Sequence, residues 1–319
     1  MQVRPIRLIP EVHSRVWGGD LLARRFARCP HSGDPIGESW EVHGDLLVAR
    51  GPDQGLTLDA LARREGEALL GRRCPPGPTF PLLVKWLDCR DWLSVQVHPD
   101  DAVARSLTGD PTARGKTECW YVAEAEEGAE VIHGLAAGVS VDDLARARGR
   151  EVLSCLQRQV VHADQILYTP AGTVHALGPG LLLLEIQQSS DLTYRLYDWG
   201  RIGLDGSPRA LHLPEAVRSL RDSRPEPLWR LPLAGVGQPR LACLHFALET
   251  LTGSATWSPA GLSLEILAVV RGEGRLEADG QAERLQPGDV LLVPASAREV
   301  HLDLPDGGLV VRTHLPEPS

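Results

Sequence analysis

Leu93-Ser94-Val95-Gln96-Val97-His98-Pro99-Asp100-Asp101 is a run of strand formers ending in a Pro-Asp-Asp stop. Along an extended segment every second side chain shares a face. Ser94, Gln96 and His98 therefore present a hydroxyl, an amide oxygen and an imidazole on one surface. A strand that served only a core would carry Val, Leu or Phe there. This face is polar and able to hold a metal, and the rest of the chain reads as what surrounds it.

Residues 80–87, just upstream, are apolar except for Lys85 and suit a strand buried on both faces. Lys85 either snorkels from a strand end or occupies a pocket. Downstream, residues 100–107 read as a short helix. Residues 115–122 then alternate as a second strand, with Lys116, Glu118 and Trp120 on one face. Residues 163–169 form a third strand, followed by the turn Pro170-Ala171-Gly172 and then His175. Residues 181–187 end a further strand in Glu185-Ile186-Gln187, and residues 189–199 are dense in polar and aromatic groups. Amphipathic helices are expected over residues 57–70, capped by Thr57 or Asp59, and over 140–156, opened by Ser140 with Asp143. A shorter helix is expected over 21–27. Near the N-terminus, residues 37–42 alternate as a strand, and Trp17 and Trp40 read first as core residues.

At 319 residues and 43% hydrophobic content, the chain can bury one large core or two smaller ones. No apolar run reaches the roughly eighteen residues of a membrane span, and no charged-then-apolar leader is visible. The net charge of −9 comes from interspersed acids, which argues against a nucleic-acid surface. The six cysteines are scattered with no C-x-x-C pair and fit a reducing cytoplasm. Of the 33 basic residues only Lys85 and Lys116 are lysines, and both flank the opening stretch. In so arginine-biased a chain, a retained lysine hints that a compact ammonium is wanted there.

Four prolines between residues 224 and 240 mark a linker. It divides a domain over 1–223 from one over 241–319, which is nearly all short strands and glycine turns. A weak repeat joins the two parts. Asp164-Gln165-Ile166-Leu167-Tyr168-Thr169-Pro170-Ala171, with His175 beyond, resembles Gly288-Asp289-Val290-Leu291-Leu292-Val293-Pro294-Ala295, with His301 beyond. The pattern is similar to the second half of the cupin signature, a jelly-roll motif. The expected fold is mainly β: two cupin-like jelly-roll barrels or sandwiches, with a few short helices packed on the N-terminal one. The C-terminal copy has no Gln-x-His upstream and no clear carboxylate ligand. It reads as a structural barrel without metal, with His301 packed inside.

Gln96, His98, Glu118 and His175 collect two imidazoles, a carboxylate and an amide on inward-alternating positions. Such a donor set suits zinc and other metals that take N/O ligands, with a position left for water or substrate.

The segments Gln96-Val97-His98-Pro99-Asp100, Gly115-Lys116-Thr117-Glu118, residues 170–176 and Ser190-Asp191-Leu192-Thr193-Tyr194-Arg195 resemble type I mannose-6-phosphate isomerases of the short bacterial form. Trp17-Gly18 and Gly37-Glu38-Ser39-Trp40 extend the likeness, which runs in order across residues 8–202. The resemblance implies one Zn2+ per chain on Gln96, His98, Glu118 and His175. It also implies interconversion of mannose 6-phosphate and fructose 6-phosphate by proton transfer between C2 and C1 through a cis-enediol(ate). Arg195 would stand beside the reacting carbons with Asp191 near it, and Ser94, Lys116, Lys85 and Trp17 would contact substrate. The proton carrier is left open among Glu185, Lys116 and a zinc-bound water. The implied partner is a small sugar phosphate, with no nucleic acid or membrane, for a cytoplasmic monomer or homodimer. The large helical insertion of long family members is absent, which opens the choice of sugar. Two other readings stand beside this one: a cupin sugar-binding protein without turnover, and an isomerase of a different aldose or aldose phosphate.

Overall fold

The computed structural model describes residues 3–29, 33–75, 77, 79–222, 229–230, 240–305 and 307–317. The chain is mainly β, built as four sheets arranged as two open sandwiches rather than closed barrels.

In the first sandwich a seven-stranded sheet carries Glu11–Gly19, Ile36–Val42, Leu82–Cys89, Leu181–Gln188, Glu118–Ala125, Gln165–Thr169 and the short Trp229–Arg230. It faces a five-stranded sheet containing Val95–Val97, Glu130–Leu135, Leu156–Val160, His175–Leu177 and Tyr194–Tyr197. The second sandwich pairs a six-stranded sheet, which includes Ala247–Leu251, Glu265–Arg271, Val290–Val293 and Leu309–His314, with the four strands Ala255–Trp257, Gly274–Ala278, Gln281–Leu285 and Val300–Asp303.

Strand alternation explains the layering. In Leu82–Cys89, residues Leu82, Val84 and Trp86 enter a core shared with Leu248, Ile266 and Val311 of the six-stranded sheet. The two large sheets are therefore packed back to back. Leu87 and Cys89 turn the other way, into the interior of the first sandwich with Trp120, Val122 and Leu183. All eight residues of this strand are buried, because it separates two cores. The five-stranded sheet is covered on its outer face by the helices Val141–Arg146 and Leu213–Ser219 and the 3-10 helix Gly149–Cys155, whose Leu144, Val152 and Ala216 pack with Val95 and Val97.

Several local expectations need correction. The helix expected over 57–70 is two helices, Leu58–Glu65 and Glu67–Leu70, broken where Gly66 takes φ +53°. The helix expected over 140–156 is Val141–Arg146, with the Ser140/Asp143 capping box in place, followed by the 3-10 turn Gly149–Cys155. Ala147 and Arg148 are extended, and Gly149 has φ +54°, so the amphipathic period runs through a break. His301 is exposed, not packed, and its Nδ1 lies 2.9 Å from Thr256 Oγ1. Its neighbours Val300 and Leu302 take the inward positions of the strand. Most of the expected linker, residues 224–228 and 231–239, lies outside the described residues. Trp229–Arg230 pairs with Gln165 and Ile166, while Ile6–Arg7 pairs with Leu291 and Leu292 of the second sandwich.

Gly288 joins the two units. At φ +86° it brings its carbonyl to the Trp86 indole N–H (3.2 Å) and to Arg28 (3.1 Å), and a Cβ there would lie 2.2 Å from Phe26. Both the backbone region and the space exclude a side chain. Gly288→Ala is expected to lower the unfolding free energy by about 1–3 kcal/mol. Urea unfolding followed by tryptophan fluorescence measures it, and an unchanged midpoint would refute the tight contact.

Candidate metal centre and substrate cavity

Sheet register assembles the candidate metal ligands. His175 and Gln96 are direct antiparallel partners in the five-stranded sheet, while Glu118 opens a strand of the opposing sheet beside Gln187. Gly115 makes the approach possible: a Cβ there would lie 2.6 Å from the backbone of Asp100 and Asp101. Glu118 Oε1 lies 3.2 Å from His175 Nε2 and 3.4 Å from His98 Nε2, and all three side chains are buried.

Hydrogen bonding sets the tautomers. His98 Nδ1 lies 2.8 Å from the Leu192 carbonyl, and His175 Nδ1 lies 2.9 Å from the Thr173 carbonyl. A carbonyl can only accept, so both Nδ1 atoms carry the hydrogen and each neutral ring turns an Nε2 lone pair inward. With the rings neutral, two lone pairs and a carboxylate converge, and among the described residues neither Glu118 Oε1 nor His98 Nε2 has a hydrogen-bond partner. Buried acceptors arranged this way fit a cation. Burial first, outweighing the pull of Glu118, holds His175 down at about 3, which keeps its lone pair free. Burial works against ionised Glu118, yet the Lys116 ammonium beside it leads the positive charge that brings it well below the usual carboxylate range.

Gln96 Nε2 lies 3.2 Å from His175 Nε2, and Ser94 Oγ donates to Gln96 Oε1 at 3.0 Å. Amide and hydroxyl can exchange roles: with the amide turned over, Oε1 faces the cluster and Nε2 donates to Ser94. All four sequence-derived ligands therefore meet in one place.

Beside the cluster lies a cavity of about 640 Å3, lined among others by Trp17, Lys85, Ser94, Gln96, Lys116, Glu185, Asp191 and Arg195. The two lysines bracket Glu185: Lys85 Nζ is 3.5 Å and Lys116 Nζ 3.6 Å from its Oε1. Glu185 Oε2 accepts from the Trp120 indole at 2.8 Å, which fixes the carboxylate plane. Lys116 also reaches Glu118 Oε2 at 2.9 Å. Burial alone would lower Lys116, but Glu118, Glu185 and Asp191 raise it above the usual ammonium range. Lys85 sits 3.4 Å from Asp191, so the partner of Asp191 is this lysine on the cavity floor. Trp17 is both buried and part of the cavity wall.

Four wall residues escaped the sequence reading. Glu38 binds Arg15 at 2.9 Å and the Trp40 indole at 2.8 Å, and the Trp40 ring also carries Lys85 4.9 Å from its centroid. Alternation put Glu38 beside Trp40, which was the available signal. Arg209 and His212 follow a turn closed by the Gly203 N–H to Ser207 carbonyl bond of 2.7 Å. Asp198 holds Arg209 at 3.2 Å, and the His212 N–H donates to the Arg195 carbonyl at 2.9 Å, pinning Arg195 on the rim. Nothing in the sequence spacing pointed to either.

Residues 6–128 match the family described as Phosphomannose isomerase type I, catalytic domain. The chain is 35% identical to the mannose-6-phosphate isomerase of Streptococcus mutans, over 94% of this chain and 95% of that protein. It is 32% identical to the Bacillus subtilis mannose-6-phosphate isomerase ManA, over 95% and 97%. Among solved structures, the mannose 6-phosphate isomerase from Bacillus subtilis superposes with a TM-score of 0.84 at 30% identity, covering 98% of this chain and all of the other. A putative mannosephosphate isomerase from Archaeoglobus fulgidus shares the fold, with a TM-score of 0.78 at 23% identity.

His133, buried and bonded to Thr169 at 3.1 Å, is held down at about 4, chiefly by burial. Like His175, its folded pKa lies below the unfolded value, so the unfolded chain binds more protons in between. Metal-free protein should have full stability above pH 6.5 and lose it as the pH falls toward 4, by up to about 3 kcal/mol from His133. His133→Gln should make the slope of urea midpoint against pH shallower across that window. An unaltered slope would contradict the buried neutral imidazole.

Proposed function

Because the chain belongs to the type I phosphomannose isomerase family, we propose that its cavity interconverts mannose 6-phosphate and fructose 6-phosphate, with one zinc ion held by Gln96, His98, Glu118 and His175. The observation that carries this reading is the meeting of His98 Nε2, His175 Nε2 and Glu118 Oε1 beside the Lys85–Glu185–Lys116 array. When bound, a zinc ion supplies positive charge that stabilises an oxyanion forming on the open-chain sugar.

The remaining work falls to side chains. Moving a proton between C2 and C1 on one face, through a cis-enediolate, needs a base able to reach both carbons. We assign this role to Glu185. Among the described residues its Oε1 has no hydrogen-bond partner, and its other oxygen is anchored by Trp120. Lys116 is unsuited, because its neighbours keep it protonated; it serves as a charge partner of the carboxylates and of substrate. Lys85 balances Glu185 and Asp191 from the opposite side. Arg195 keeps its charge at neutral pH and positions the sugar from the rim, since a guanidinium is a poor base. Ser94, next to Gln96, offers a hydroxyl to substrate. The cations Arg15, Lys85, Lys116, Arg195 and Arg209 around one cavity favour a phosphorylated substrate, whose remote charge aligns the reacting carbons.

A coupled assay for fructose 6-phosphate formed from mannose 6-phosphate tests the reading. Turnover should vanish on chelation and return with zinc. Absence of turnover at full zinc occupancy would eliminate this substrate and direct the search to other aldose phosphates. Glu185→Gln should lower kcat by about 10²–10⁴-fold with bound zinc unchanged. Activity within a few-fold of the parent would remove Glu185 as proton carrier.

A further inference from the structure

We propose that Arg209 receives the phosphate of the substrate and so makes the cavity select phosphorylated over free sugars. The assignment rests on the isomerase reading above and gives the substrate a direction, with the reacting carbons at the metal ligands and the phosphate at the mouth.

The other cations of the cavity are already committed. Arg15 uses Nε and Nη2 on Glu38, at 2.9 and 3.3 Å, and Nη1 on the Ser14 carbonyl at 3.3 Å. Buried Lys85 stands 3.7 Å from Glu38, 3.5 Å from Glu185 and 3.4 Å from Asp191. Lys116 is held by Glu118 at 2.9 Å and by Glu185 at 3.6 Å. A dianion brought to any of these three would meet the acids they already serve. Arg195 is the strand partner of Gln96, so it stands on the side of the rim nearest the metal ligands, where the reacting carbons lie.

Arg209 differs in geometry, charge and position. Among the described residues only its Nη1 meets a carboxylate, 3.2 Å from each oxygen of Asp198. The Nε–H and Nη2–H edge is left, two parallel donors that match two phosphate oxygens. Asp198 is itself shared, since Arg201 Nη2 lies 2.6 Å from it. One buried carboxylate between two guanidiniums leaves positive charge uncompensated, while its grip on Nη1 fixes where the free edge stands. Burial leads in holding Arg209 below the usual guanidinium range; Asp198 pulls it up, and Arg195, Arg201 and Arg15 push it down again. A phosphate dianion would relieve that repulsion. Leu204, 51% exposed, and exposed Asp205 line the cavity with Arg209, so this loop forms the mouth. Asp205, the acid of the loop, faces solvent and accepts from the Ser207 N–H at 3.0 Å.

Equilibrium dialysis of the zinc-loaded full chain against D-sorbitol 6-phosphate, which has no carbonyl to isomerise, reads this contact without turnover. The parent should bind one equivalent, and Arg209→Gln should weaken binding about 10–100-fold. Asp198 keeps Arg201 in that variant, so the loop retains its anchor. Arg209→Lys, which keeps the charge and loses the fork, should bind more weakly than the parent and more tightly than Arg209→Gln; it decides alone if the glutamine variant does not fold. With mannose 6-phosphate the loss should appear in KM and leave kcat, because the phosphate is gripped alike in ground and transition states. A loop that had merely shifted would lower kcat instead. Equal affinity in the parent and Arg209→Gln, a loss confined to kcat, or a parent that takes up no sorbitol 6-phosphate overturns the proposal. Arg209-dependent binding in a protein that does not turn over mannose 6-phosphate upholds this site and removes the isomerase reading.

Discussion

Glu118 and the two imidazole lone pairs turned toward it set the terms for the rest of the first sandwich. A buried carboxylate facing buried acceptors is costly unless a positive charge compensates it. The protein brings several to bear: Lys116 at 2.9 Å, Lys85 across Glu185, and the donor set for a metal. Glu38 and Glu185 are each matched by a cation and oriented by a second contact. Trp120 holds Glu185, Trp40 and Arg15 hold Glu38, and backbone carbonyls hold both histidine rings. An array ordered in this way is ready for charge to develop on a substrate without first rearranging.

The scaffold makes such an arrangement affordable. The seven-stranded sheet has apolar cores on both faces, one inside its own sandwich and one against the six-stranded sheet. Lys85, Glu118 and Glu185 interrupt only the inner face. On the outer face the same strands carry Val84, Trp86, Cys119, Tyr121, Leu184 and Ile186 into the shared core. The second sandwich therefore acts as a backing plate that fixes strand register behind the charged residues. Gly288, whose carbonyl meets Trp86, is one of the points where the plates are joined.

The two sandwiches also show how one framework carries opposite charge patterns. Registers match strand by strand: Thr169 and Val293, equivalent in the internal repeat, face Glu118 and Glu265. Yet where one has Lys85 and Glu185 the other has Glu249 and Arg312. The carboxylate persists as Glu118 and Glu265, held in one case beside imidazoles and in the other by an indole. Backbone hydrogen bonding is indifferent to these exchanges, because it depends on strand pairing and not on which polar side chain points inward.

What the sequence determined by itself was everything governed by short-range periodicity. The two-residue alternation around Ser94, Gln96 and His98, the Lys116-Glu118 face and the Pro170-Ala171-Gly172 turn followed by His175 identified the ligand candidates and the mainly β fold. Helix ends were less legible, since Gly66 and Gly149 break segments whose apolar period continues past them. Tertiary structure alone decided the pairings. Strand register put Glu185 between two lysines, a turn closed by Gly203 and Ser207 brought Arg209 and His212 to the rim, and alternation past the repeat turned His301 outward and Val300 inward. The Glu118–Glu265 correspondence emerged only from register. Sequence reports which face a side chain takes along its own strand; which residue stands opposite it is settled by the pairing of distant strands.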